Sequence, residues 1–367
     1  MASIDEHLRS PEISVDEHVR RTQIALGAAI AAKKAIYLDM RYWILLRSAA
    51  SGAGSGEIQE LLQLLRDGVA RGRFFCPISE SVFVELMKQS DLSSRKATAT
   101  LVDELSTGVT LIIPEQRVAT ELACFLYKYS GVADLHPLKH LVWTKLSYVL
   151  GTLHPSQTPF DPAIELAVQK AFFDHLWTIP LETMVATIGD QPLPPDLTGE
   201  ASEAMNAGIT AHADAIRSFQ QAYSAEVRGA VDVTCGAIPD ILMAIAHAQG
   251  IALDQPTPEQ RASTLSMFKN LIAAALEKGK ARGELPSIHI YASLHASLRW
   301  NKGRKLRAND LYDFQHAIAA LGYANLFLTE KPLQVMVTER HLALDKLYDC
   351  RVVSDVEDAV VAVKAML

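Results

Sequence analysis

Two hydrophobic periods alternate along the first third of the chain. "AIYLD" (Ala35–Asp39) is an apolar run closed by an aspartate, the pattern of a short buried strand, and residues 15–33 before it carry helical spacing. "EIQELLQLLRDGVARG" (Glu57–Gly72) repeats leucines at helical intervals and stops at Gly72. "RFFCPIS" (Arg73–Ser79) predicts a second strand, ended by Pro77, with Ser79 placed to cap the helix "ESVFVELMKQ". "SSRKATATLVDELSTG" predicts a further helix, and "VTLIIP" (Val109–Pro114) a third strand. Strand and helix in turn predict a parallel α/β sheet.

The alternation stops at about Glu115. From there to Trp300 the pattern predicts helices and loops and no strand, with long helices over "SEAMNAGITAHADAIRSFQQAYSAEVRG" and "TPEQRASTLSMFKNLIAAALEKGKARG" and a proline-rich loop over Asp190–Glu200. It then resumes. "ANDLYDFQHAIAALGY" reads as a helix opened by Asn309 or Asp310, "ANLFLTE" as a strand ending at Thr329, and "DCRVVSD" as a strand ending at Ser354 before the amphipathic "VEDAVVAVKAML". The expected organisation is an N-terminal helical arm over 1–34, an α/β domain of about five parallel strands built from 35–113 and 301–367, and a mostly helical insertion over 114–300.

Composition narrows the class. The 367 residues are 49% hydrophobic and 21% charged, as in ordinary globular proteins, and a net charge of -7 excludes a uniformly basic nucleic-acid coat. Cys76, Cys124, Cys235 and Cys350 are far apart and have no CxxC spacing, so free, mostly buried thiols are expected rather than a zinc site. "IALGAAIAA" (Ile24–Ala32) is too short to span a membrane, and the mixed charges before it do not suit a signal peptide. The expectation is a cytoplasmic protein without a membrane span. GxSxG, HExxH and GxxxxGK[ST] do not occur, and Asp39-Met40-Arg41 lacks the second acid of a DxD phosphatase.

The acids are better placed. Ligands gather beyond the carboxyl ends of parallel strands. Asp39 and Glu330 fall at such ends, Glu85 lies in the helix after the second strand, and Asp313 lies in the helix that feeds the "NLFLT" strand. Clustered carboxylates repel unless a cation offsets them, and oxygen-rich sets suit Mg²⁺ or Mn²⁺. For each acid a plainer role stands beside this one: Asp39 as a helix cap, and the other three as solvated surface charges.

Three stretches, covering four motifs, resemble the PIN-domain nucleases. "IYLDMRYWI" is similar to their first motif, "PISESVFVEL" to the second, and "NDLYDFQHAIAALGYANLFLTE" to the third and fourth together, with Arg41 standing where the family usually has a small polar residue. The resemblance covers somewhat under half the chain. It implies a PIN-like fold and metal-dependent hydrolysis of phosphodiesters, most often in RNA, with single-stranded DNA as the alternative substrate. Asp39, Glu85, Asp313 and Glu330 would be the catalytic, metal-holding acids. Arg41, Ser79, Arg304, Lys305, Arg307, His316 and Thr329 would be substrate contacts. The alternative is a weakened, scaffold-like relative that binds RNA or a protein partner, a second copy of the chain or a regulator included.

One charge asymmetry fits a phosphate-facing side. Lys278, Lys280, Arg282, Arg299, Lys302, Arg304, Lys305 and Arg307 face one acid, Glu284, with His289, Tyr291, His295 and Trp300 interleaved. Basic groups hold a phosphate backbone and aromatics can stack on bases, although a solvated loop explains the same charges. Trp143, Trp177 and Trp300 are expected in the core.

Overall fold

The computed structural model describes residues 4–132, 135–189, 191, 195–301 and 303–367. It is an α/β protein whose chain divides into two compact units. The first comprises Met1–Ile113, Lys139–Leu193 and Ser354–Leu367, and the second Pro114–Leu138 and Pro194–Val353. This division is drawn differently from the one expected. Residues 139–193 of the anticipated insertion join the first unit, while most of 301–367 groups with the remaining helices.

The first unit holds α1 (Ile4–Leu8), α2 (Val15–Ile30), β1 (Lys34–Leu38), α3 (Met40–Ala50), α4 (Gly56–Ala70), β2 (Phe74–Phe75), α5 (Glu80–Lys88), α6 (Leu92–Ser106) and β3 (Val109–Leu111). Later in the chain it adds β4 (Trp143–Lys145), α8 (Pro162–Leu176), α9 (Leu181–Ile188) and α18 (Val356–Lys364). β1 runs parallel to β2, with Lys34 opposite Phe74 and Ala35 opposite Phe75. Ile36, Leu38, Trp43, Leu46, Leu61 and Leu65 are fully enclosed around this pair. Gly68 of α4 lets the Phe74 ring lie against the helix backbone, because a Cβ there would sit 2.0 Å from the ring. The apolar face of α18 packs on α4, and Lys364 Nζ meets Glu60 Oε1 at 2.5 Å at the edge of that contact.

"VTLIIP" does form a strand, but not in the expected sheet. β3 pairs antiparallel with β4, Val109 opposite Lys145 and Leu111 opposite Trp143, and meets the chain after β2 at a parallel Ile78–Thr110 bridge. β4 lies inside the stretch expected to lack strands. Three residues are too few to show a period, so the sequence carried no sign of it.

The second unit holds α7 (Pro114–Ser130), α10 (Thr198–Ala211), α11 (Phe219–Thr234), α12 (Ile238–Ala248), α13 (Pro258–Glu277), α14 (Pro286–Trp300), α15 (Ala308–Tyr323), β5 (Leu326–Leu328), α16 (Lys331–Thr338), α17 (Leu344–Leu347) and β6 (Arg351–Val353). β5 and β6 are parallel, Leu326 opposite Arg351 and Leu328 opposite Val353. α14 is the central helix: twelve of its fifteen residues are buried, and its alanines and serines admit α11 closely. A helix enclosed on all sides needs no single apolar stripe. Leu122, Val227, Cys235, Ile238, Ile272 and Leu276 complete this core.

The expected helix over 202–229 is broken instead. α10 ends at Ala211 and α11 starts at Phe219, capped by Ser218, whose Oγ accepts from Gln221 N at 3.2 Å while Gln221 Oε1 accepts from Arg217 N. This reciprocal Ser-to-Gln cap restarts the helix. Against the expectation of no membrane-length segment, Phe219–Ala248 is long and apolar enough by length and composition, with a mean hydropathy of 1.5. A 3-10 turn at Cys235–Ala237 interrupts it, and Tyr223, Val227, Val231 and Ile238 of it lie in the core. No disulfide joins the four cysteines, and Cys76, Cys235 and Cys350 are buried.

Candidate functional site

Asp39 follows β1 directly and is the N-cap of α3. Its extended backbone (φ -73°, ψ 173°) turns the carboxylate onto the helix start, where Oδ1 accepts from Tyr42 N at 3.1 Å. The plainer role raised for this aspartate is therefore filled, and a cap of this kind contributes about 1 kcal/mol. Two neighbours lock the turn. Trp43 Nε1 donates back to the Leu38 carbonyl at 3.1 Å, and Tyr42 Oη donates to the Ser354 carbonyl at 2.8 Å. Arg41 is solvent-facing, and its Nη1 reaches the same Ser354 carbonyl at 3.2 Å.

Glu85 is half-buried on α5. One turn further on, Gln89 accepts from Arg47 Nη1 at 2.6 Å and donates to Met40 Sδ at 3.5 Å. Gln89 is the extended C-cap of α5, so these bonds tie the C-terminal end of α5 to α3. Ser79 occupies the N-cap position of α5 but makes no side-chain cap, contrary to expectation. Its Oγ lies 2.6 Å from the Tyr37 hydroxyl instead, because a fully enclosed tyrosine on β1 needs a polar partner.

In the second unit Asp313 is half-buried on α15, and Glu330 is exposed at the N-cap position of α16 without capping it. Only two residues join α15 to β5, so helix and strand run antiparallel. Asp313 lies about 15 Å before the end of α15 at 1.5 Å per residue. Glu330 lies roughly 16 Å beyond Asn325 at 3.3 Å per residue. The two acids therefore stand at similar heights. Thr329 is buried, its N–H donating to the Val353 carbonyl at 2.9 Å, and His316 is buried within α15. Both side chains are enclosed, at 1% and 2% exposure.

The basic strip is less open than its sequence suggests. Arg299 pairs with Glu226 at 3.0 Å, Arg304 pairs with Asp310 at 3.1 Å, and Arg282 stacks over the Tyr223 ring. Asp310 also reaches back to Arg307 N at 2.8 Å, which opens α15. Lys278, Lys280, Lys305 and Arg307 are exposed, and Lys302 lies outside the described residues. His289 and His295 are buried, and desolvation holds them well below the usual imidazole range, to about 3 and about 4. Neither can stack on a base. Trp143 is buried as expected, whereas Trp300 is 43% exposed on an open hollow with Arg304 and His341.

Two polar clusters carried no sequence signal. In the first unit, Asp174 on α8 sits 2.9 Å from His7 Nε2 and 2.7 Å from His18 Nε2, tying α1 and α2 to α8. In the second, Glu121 of α7 is fully enclosed. It accepts from Ser287 N at 3.1 Å, from Ser287 Oγ at 2.6 Å and from the Tyr323 hydroxyl, while Arg117 Nε donates to Ser287 Oγ at 3.3 Å. Glu121 thus caps α14 from another helix, and burial outweighs these bonds and lifts its carboxyl to about 7. Ser287 is 166 residues away from Glu121, too far for spacing to reveal the pair.

No family model, curated protein or solved structure matches the chain.

Proposed function

We propose that the protein is a metal-dependent nuclease of the PIN-like type, acting on RNA. The observation that carries this reading is the placement of Asp39 and Glu330, each just past the carboxyl end of a strand that belongs to a parallel pair. Ligands collect at such ends. Glu85 and Asp313 support it, one half-buried on the helix after β2, the other at the height of Glu330.

The donor chemistry fits the implied cation, since Asp39, Glu85, Asp313 and Glu330 offer carboxylate oxygens of the kind Mg²⁺ and Mn²⁺ select. When bound, such a cation supplies charge neutralisation at a scissile phosphate. In this reading the chain's own groups do the rest. Lys305 and Arg307 hold the phosphate backbone just ahead of α15, and the Asp39 cap keeps its carboxylate in one orientation.

A second reading keeps the acids structural and the protein a scaffold for RNA or a protein partner. The cap from Asp39 to Tyr42 favours it, because that carboxylate already has a task. Cleavage of labelled single-stranded RNA with Mn²⁺ separates the two. Asp39→Asn and Asp313→Asn are expected to lower cleavage at least a hundredfold, with the fold intact because both changes keep the side chain's shape and asparagine also caps helices at position 39. Equal residual cleavage in wild type and both variants would overturn the nuclease reading, and so would a wild type that neither cleaves nor binds Mn²⁺.

A further inference from the structure

Within the second unit a cavity of about 490 Å³ opens between α7, α11, α14 and α15. Its volume falls in the range of small-molecule sites. Val118, Ala230, Ile288 and Ile318 form apolar walls, and Arg117 and Ser287 are the polar residues beside them on the lining. Glu115 and Val233 are exposed at the mouth.

Arg117 decides what the cavity suits. It is 2% exposed, yet among the described residues only its Nε has a hydrogen-bond acceptor, the Ser287 hydroxyl. Its guanidinium also lies over the Tyr323 ring, 5.8 Å from the centroid. The nearby Glu121 carboxylate takes its hydrogen bonds from Ser287 and Tyr323 rather than from Arg117. None of the Arg117 nitrogens is a sealed polar atom without a partner, so its terminal N–H groups reach accessible space and can donate to a ligand. A planar fork of N–H groups matches a carboxylate with two bonds at once. One such fork in an apolar chamber suits a single carboxylate on a hydrocarbon body better than a phosphate, which calls for several donors.

We propose that this cavity binds a small amphipathic carboxylate, its charged head on Arg117 and its apolar body along Val118, Ala230, Ile288 and Ile318. The site is independent of the acids assigned to nuclease chemistry.

The test is calorimetric titration of the full chain at about neutral pH with decanoate, and with decanol as an uncharged match. One decanoate is expected to bind per chain, with decanol at least tenfold weaker. Gly229 lines the cavity from α11, and a Cβ there meets no atom within 4 Å, so Gly229→Phe leaves the backbone undisturbed and fills the mouth. That variant is expected to lose decanoate binding by more than tenfold. Arg117→Lys, which keeps the charge and loses the fork, is expected to erase most of the preference for decanoate over decanol. The proposal is overturned if decanoate does not bind, if decanol binds as well, or if Gly229→Phe binds decanoate normally. Should Arg117→Lys not fold, the other two comparisons decide.

Discussion

Lys170 in the first unit and Arg117 in the second are both long cations sealed from solvent, at 1% and 2% exposure. Lys170 Nζ donates to the carbonyls of Ser10 and Ile13 at 2.8 and 3.1 Å, so main-chain dipoles satisfy it and α8 is fastened to the segment after α1. Arg117 meets a hydroxyl and an aromatic face beside a carboxylate occupied elsewhere, and it borders a cavity. The cost of burying a charge is the same problem in both places. Neutral acceptors close it off as a staple, whereas a partly engaged guanidinium leaves room for a ligand.

The largest effect is expected at Glu121. Glu121→Ala removes the acceptor for Ser287 N and the Tyr323 hydroxyl and the counter-charge of Arg117, with an expected loss of about 3–5 kcal/mol. Urea unfolding measures it, and a loss under about 1 kcal/mol would mean the network does not hold α7 to α14. Lys170→Met comes next, at about 1–3 kcal/mol for two carbonyls left without a donor. It should quicken proteolysis near residues 10–13 and leave decanoate affinity unchanged; altered affinity would erase the contrast between staple and receptor.

The pH dependence sharpens the same contrast. The Glu121 carboxyl is raised from 4.5 to about 7, so its contribution to stability is fully present below about 4.5 and is lost as pH rises through 7. The linked slope is at most about 1.4 kcal/mol per pH unit. His289 and His295 are lowered, so theirs is present above 6.5 and lost as pH falls toward 3–4. Unfolding wild type and Glu121→Gln across pH 4.5–7 isolates the carboxyl: wild type should lose ground against the variant as pH rises, and parallel curves would contradict the assignment. The smallest effect is expected at Asp174→Asn, about 1 kcal/mol from one weakened bond to His7 or His18. Faster hydrogen exchange in α1 and α2 is its readout.

Local signals were legible where a single segment decides the outcome. Four apolar residues closed by Asp39 marked β1 and the start of α3, and "NLFLT" marked β5. What spacing could not show is partnership. "VTLII" reads alike whether its neighbour is parallel or antiparallel, so β3 was expected in the wrong sheet and its three-residue partner β4 was not expected at all. The break before α11 was written in Ser218 and Gln221, a cap that the surrounding helix formers obscured. Arg117 and Glu121, four apart on α7, look like an ordinary surface pair; only the fold puts Ser287 and Tyr323 against them. The basic strip is less open than its spacing suggests for the mirror reason, since Glu226 and Asp310 neutralise two of its arginines from outside the counted stretch.

The route of the chain sets a schedule for its synthesis. After Ile113 the first unit receives Lys139–Leu193 and then waits for Ser354–Leu367, which carries α18. At ribosomal speed the 240 residues from Pro114 to Val353 take roughly 10–50 s. For that interval the face of α4 that α18 will cover, on the helix bearing Ile58, Leu61, Leu62 and Leu65, stands open to chaperones or to another nascent chain.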